Sequence, residues 1–160
     1  MNQRKLFAEV LQQKMTDNPA IILITADLGF GLFDSIRERL PSQFYNVGAA
    51  EQAALGAAVG LALAGKIPVV YSITPFLLYR PFEWIRNYVH HERIAVKLVG
   101  SGRGKDYAHD GFTHWAEEDR YIMNLLPNII SCWPETEFEV IDFIDHMLSN
   151  KKPFYLNLKR

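Results

Sequence analysis

The sequence predicts an α/β protein, a three-layer α/β/α sandwich around a mostly parallel sheet. Short apolar, β-branched runs recur at residues 20–25, 44–47, 67–72, 94–99, 129–132 and 154–158. Each is followed or preceded by a segment with helical spacing of its apolar residues, so strand and helix alternate throughout. The runs are apolar on both faces, which suits a sheet covered on both sides, and right-handed crossovers through the helices would supply that cover.

Residues 3–16 place Leu6, Phe7, Val10 and Leu11 among Gln3, Arg4, Lys5 and Glu9, an amphipathic helix and not the unbroken apolar core of a signal peptide. Asp17-Asn18-Pro19 stops it before the first strand. A helix is expected at about 33–40, and a third at 50–64 whose side chains are almost all Ala, Gly, Leu or Val, so that neighbours can approach closely. Further helices are expected at 76–91, 115–126 and 136–148, the last ended by Ser149-Asn150. Residues 101–111 have loop composition directly after a strand, the position at which such sheets bind ligands.

With 160 residues, 49% of them hydrophobic, residues 1–160 read as one domain able to bury roughly two thirds of its unfolded surface. The 17 Lys+Arg and 18 Asp+Glu are dispersed. That balance offers no basic field for nucleic acid or for an anionic membrane. No stretch reaches the ~20 apolar residues of a membrane span. A single cysteine, Cys132, rules out an internal disulfide framework and fits a reducing compartment, so the expected location is the cytoplasm.

The residue pattern richest in chemistry is Tyr45-Asn46-Val47-Gly48-Ala49-Ala50-Glu51-Gln52. A strand end turns through glycine into the small, apolar third helix, with one carboxylate, Glu51, in its first turn. A carboxylate there complements the helix dipole, typically by a few tenths to ~1 kcal/mol, which is a sufficient structural reason for it. Set in an apolar surface it is also a candidate for acid–base work. Two glycine clusters are decoys. Residues 29–34 lack the third glycine of a dinucleotide fingerprint, since Asp34 stands there, and residues 100–105 lack the spacing and the Ser or Thr of a phosphate loop. His90, His91 and His146 read as solvated helix positions, and no spacing suggests a metal site on this chain.

Glu51 in Gly48-Ala49-Ala50-Glu51-Gln52, the aromatic run Phe76-Leu77-Leu78-Tyr79-Arg80-Pro81-Phe82-Glu83-Trp84, and Asp110-Gly111-Phe112-Thr113-His114 occur in one order. Together with the ending Phe154-Tyr155-Leu156-Asn157-Leu158-Lys159-Arg160, the chain resembles the pyrimidine-binding domain of thiamine-diphosphate enzymes of the transketolase and deoxyxylulose-phosphate synthase branch. The resemblance implies the thiamine-diphosphate-binding fold. It also implies that Glu51 hydrogen-bonds the ring nitrogen of the cofactor's aminopyrimidine, so that the cofactor serves as its own base. Phe76 would pack on the pyrimidine ring with Tyr79 as its neighbour. His114 would act as a general acid/base and Asp110 as a hydroxyl acceptor on the substrate, and Arg160 would hold a sugar phosphate. Phe82 and Trp84 read as core.

The chain departs from the family at two places. Gly102 stands where transketolases carry a histidine, and Leu28-Gly29-Phe30-Gly31 replaces a serine-bearing phosphate turn. The Gly-Asp-Gly motif that holds the diphosphate and Mg²⁺ in the family does not occur here. The resemblance therefore implies the pyrimidine-binding subunit of a split transketolase-like enzyme. A separate diphosphate-binding subunit would carry the Mg²⁺ ligands, the assembly would be a heterotetramer, and the substrate a small sugar or 2-oxo acid. The alternatives are the corresponding subunit of a two-chain 2-oxo acid decarboxylase, and a catalytically silent partner or binding module.

Overall fold

A computed structural model describes residues 2–160. In chain order its elements are α1 (Gln3–Asp17), β1 (Ile21–Thr25), α2 (Asp34–Arg39), β2 (Phe44–Asn46), α3 (Glu51–Leu63), β3 (Ile67–Ile73), α4 (Thr74–Tyr79), α5 (Phe82–Trp84), β4 (Lys97–Ser101), α6 (Asp119–Asn124), β5 (Ile130–Cys132), α7 (Glu137–Ser149) and β6 (Phe154–Leu158). The six strands form one sheet in the order β2-β1-β3-β4-β6-β5, and every neighbouring pair is parallel. Side-chain alternation then sorts the core into two layers. Ile21, Leu23, Val69, Tyr71, Val99 and Leu156 face α1 and α7, while Ile22, Ile24, Val70, Leu98 and Tyr155 face α3, α4 and the segment after α5.

Local chemistry explains where the helices start and what they bury. At α1, the Asn2 side chain accepts the Arg4 N–H at 3.0 Å, satisfying one of the otherwise free first-turn donors. At α7, Thr136 and Glu139 form a reciprocal capping box, and Val140, Ile144 and Met147 follow at helical spacing and are fully buried. In α3 the buried positions are Glu51, Ala54, Leu55, Ala58 and Val59, a single i, i+3, i+4, i+7, i+8 face. Burying a residue such as Leu55 stabilises the fold by about 1.5–3 kcal/mol, whereas the opposite face of α3 presents exposed Ala53, Ala57, Gly60 and Leu63.

Three boundaries differ from the sequence expectation. The helix expected over 76–91 is broken, because Pro81 has no N–H to continue the ladder from α4. The chain resumes as α5 and then widens into π-type turns over Ile85–His91. The helix expected from 115 begins at Asp119, since Ala116 pairs with Gly104 in an antiparallel bridge. The fourth strand runs Lys97–Ser101, later than expected, because pairing with β3 and β6 on both sides holds Gly100 and Ser101 in the sheet. His90 is also buried, not solvated: Asn128 donates its backbone N–H to His90 Nδ1 at 3.3 Å and its side-chain amide to the His90 carbonyl at 3.0 Å. Burial pushes the His90 pKa below its ordinary value.

No helix among the described residues is long and apolar enough to cross a membrane. Burial pushes the Cys132 thiol up to about 11, so it stays protonated at neutral pH, as suits a packing role.

Candidate functional site

The connections from β1 and β3 leave in opposite directions, so a crevice opens between their carboxyl ends, the place where open α/β sheets bind ligands. The turn from β2 into α3 closes one side of it. Asn46 Oδ1 accepts the N–H groups of Asp27 and Gly48, both at 3.0 Å, which folds the chain back sharply and delivers Glu51 as the first residue of α3. A cleft of about 540 Å³ is lined there by Ala49, Ala50, Glu51, Gln52, Ala53 and Arg80.

The Glu51 side chain is only 2% exposed, yet its setting is not purely apolar. Ser72 at the end of β3 donates its hydroxyl to Oε1 at 3.3 Å, and Arg80 Nη1 donates to Oε1 at 3.0 Å and Oε2 at 2.9 Å. Neither partner was singled out by the sequence. Ser72 is legible only through strand alternation, and nothing local to Arg80 shows that its side chain reaches a carboxylate on another helix.

From Glu51 a continuous row of contacts crosses the carboxyl edge of the sheet. The Arg80 guanidinium carbon lies 3.9 Å from the Phe76 ring centroid, one helical turn back. The His114 ring meets Phe76 edge-on at 4.8 Å and lies 6.3 Å from Tyr107, and the Arg160 guanidinium lies 4.7 Å over Tyr107. His109 Nε2 then sits between Arg160 Nη1 at 3.3 Å and Asp110 Oδ2 at 3.2 Å. Glu51, Phe76, His114 and Arg160 thus share one row, with Asp110 at its far end through His109. Tyr79 stands apart from it: its hydroxyl donates to Glu118 at 2.9 Å, and partial burial together with that carboxylate pushes its pKa up.

A buried polar network holds the row from below. Thr74, two residues before Phe76, donates its hydroxyl to the Gly102 carbonyl at 2.7 Å, and the Asn157 amide donates to Thr74 Oγ1 at 3.0 Å and to the Gly102 carbonyl at 3.2 Å. Tyr155 donates to buried Asp119 at 3.0 Å. The network explains Gly100, where a Cβ would lie 2.6 Å from Thr74 Oγ1. It also bears on Gly102, which has φ +87° and whose Cβ would lie 2.3 Å from the Tyr107 ring. Tyr107 occupies the space a side chain at 102 would need, and its hydroxyl meets Ser101 Oγ at 2.9 Å and accepts from Arg4 Nη1 at 3.0 Å.

Over residues 1–160 the chain matches the family described as transketolase, pyrimidine binding domain. It belongs to that family. The putative transketolase C-terminal section of Methanocaldococcus jannaschii is 32% identical over 158 residues, covering 98% of this chain and 50% of the relative. An apulose-4-phosphate transketolase subunit of Actinobacillus succinogenes is 34% identical over 121 residues, covering 76% of this chain and 39% of the relative. Among solved structures, a split gene transketolase described as an inactive beta4 tetramer superposes with a TM-score of 0.87 at 29% identity, covering 100% of this chain and 51% of that one. This pyrimidine-binding domain therefore spans about half or less of each of these relatives. Among its described residues no group of three or more His, Cys, Asp or Glu is placed to hold a metal ion.

Proposed function

We propose that this chain is the pyrimidine-binding subunit of a split transketolase-like enzyme, moving a two-carbon ketol unit between sugar-like substrates. Thiamine diphosphate would bind at the interface with a separate chain that holds its diphosphate and Mg²⁺. The observation that carries the reading is the buried Glu51 carboxylate facing the cleft and tied through Arg80 to the Phe76 face. A planar, hydrogen-bonding group already lies between that carboxylate and that ring, and an aminopyrimidine is likewise planar, its ring nitrogen accepting from Glu51 where the guanidinium donates. The residues therefore fit the cofactor. When bound it supplies the carbanion chemistry.

The chain's own groups supply orientation and proton handling. Glu51 would hold the pyrimidine nitrogen by a hydrogen bond, in a site dry enough for that bond to be stronger than in water. Phe76 would pack on the ring, worth about 0.5–1.5 kcal/mol beyond area burial. His114, on the Phe76 edge, faces the reacting end of the substrate and exchanges protons there, with Asp110 accepting from a substrate hydroxyl. Arg160 and His109 form the far, anion-accepting end of the row. Tyr79, held by Glu118, is assigned no cofactor contact. A 2-oxo acid decarboxylase would use Glu51 and Phe76 but would not need a hydroxyl-reading Asp110 and His114. The feature that favours a silent partner is Tyr107 filling the space beside Gly102.

A structure named as an inactive tetramer of one chain type supports the need for a second chain, and two copies of each chain in a cytoplasmic heterotetramer is the assembly we favour. The exposed small-residue face of α3 suits such a contact, since it lets backbones approach closely. Affinity purification of this chain from source lysate with thiamine diphosphate and Mg²⁺, followed by mass spectrometry, tests the reading. A stoichiometric partner bearing the Gly-Asp-Gly diphosphate motif is expected. A chain that elutes alone and binds no cofactor contradicts it.

A further inference from the structure

We infer that Arg80 sets the cofactor affinity of this site: its guanidinium holds the place of the aminopyrimidine ring, and the cofactor binds by displacing it. The inference rests on the pyrimidine-site reading above. Arg80 does with one planar group the two things asked of the ring. Its Nη1 engages both Glu51 oxygens, at 3.0 and 2.9 Å, and its carbon sits 3.9 Å over the Phe76 centroid. A ring that bonds Glu51 and lies face-on to Phe76 needs that same volume. His114 meets Phe76 in a T-shaped contact, 4.8 Å between ring centroids.

The geometry also shows why the arginine can leave. Arg80 stands at the break between α4 and α5, where Pro81 interrupts the helix, and its side chain is 46% exposed against 2% for Glu51. Its backbone is held independently, because Gln52 Nε2 donates to the Arg80 carbonyl at 3.2 Å. Displacement is therefore a rotamer change toward solvent, with the helices staying in place. While the arginine is home, the buried carboxylate keeps a partner, which avoids the heavy penalty of an unpaired buried charge. The apparent affinity for the cofactor is then its intrinsic affinity reduced by the fraction of molecules in which Arg80 has swung away.

The test uses the two-chain complex as purified. Thiamine diphosphate with Mg²⁺ is titrated calorimetrically into wild type, Arg80→Met and Arg80→Lys, and magnesium pyrophosphate, which lacks the ring, is titrated in parallel. Arg80→Met is expected to bind thiamine diphosphate about tenfold more tightly, from loss of an ion pair and a cation–π contact at a half-exposed site. Arg80→Lys, which keeps the charge but not the plane, should fall between, and pyrophosphate should bind all three alike. Unchanged or weaker thiamine diphosphate binding by both variants overturns the inference while leaving the pyrimidine site standing, as does an equal gain for pyrophosphate. A wild-type complex that binds no thiamine diphosphate overturns both. Should Arg80→Met not fold, the sign of the Arg80→Lys change decides.

Discussion

The two edges of the sheet use polar side chains in opposite ways. At the amino edge they close the backbone. Gln43 donates its amide to the carbonyls of Met15, Asn18 and Ile21, and buried Lys97 donates to those of Asn150 and Lys152 at 2.8 and 2.6 Å. Each of these partners is a main-chain carbonyl, and the Asn18 carbonyl also accepts the Ile21 N–H at 3.2 Å, so removing the side chain costs stability. At the carboxyl edge side chains meet one another: Arg80 with Glu51, His114 with the Phe76 and Tyr107 rings, Arg160 with His109. Those are contacts a ligand can replace. Buried atoms without a partner also lie at this edge, Thr25 Oγ1 and Trp115 Nε1. A polar group bound to the main chain thus marks architecture, whereas a side chain paired with another at a strand's carboxyl end marks the candidate site.

The contrast can be broken at several points. The polar network under Phe76 behaves as architecture although it lies at the carboxyl edge: the Asn157 amide donates to Thr74 and to the Tyr155 hydroxyl, and its oxygen accepts from Arg103 Nε at 3.0 Å, so Asn157→Leu should lower unfolding free energy by about 3 kcal/mol, read from urea denaturation. Gly102→His should cost about 2 kcal/mol through left-handed strain and collision with Tyr107, and adding Tyr107→Ala should recover the part due to collision. Recovery would establish that Tyr107 holds the space beside Gly102.

The smallest effect concerns the amino edge and pH. Burial pushes the Lys97 ammonium from 10.5 down to about 8. Between pH 8 and 10.5 the unfolded chain holds a proton that the folded chain has released, so this group makes stability rise with pH across that window and contributes no slope below it. Lys97→Met should remove that rise, about 1 kcal/mol, from a comparison of denaturation at about pH 8 and about pH 9. A slope unchanged in the variant would show that Lys97 is not the titrating group.

Much of this was legible in the sequence. The strand runs and their alternation with helices specify the sheet, because periodicity of apolar residues is a local signal. Glu51, Phe76, His114 and Arg160, far apart in the chain, fall in one row because each lies in the segment that follows the carboxyl end of a strand. What periodicity did not reveal was the break at Arg80-Pro81, since Leu77, Leu78, Ile85 and Val89 keep helical spacing across it and all are buried. The burial of His90 was equally hidden, for it depends on Asn128, whose proximity only the tertiary fold creates. An arginine beside a proline, as at Arg80, carries no local sign that its side chain reaches a carboxylate on another helix.

The central claim is that Glu51 completes a thiamine-diphosphate site shared with a second chain. Its most direct test is ketol transfer by the purified two-chain complex, wild type against Glu51→Gln, at saturating thiamine diphosphate and Mg²⁺, with the melting temperature of each complex measured alongside. The account predicts that Glu51→Gln loses about 10²–10⁴-fold in kcat while the complex still assembles and melts cooperatively. A Glu51→Gln complex as active as wild type would contradict it, and this chain would then be a silent partner.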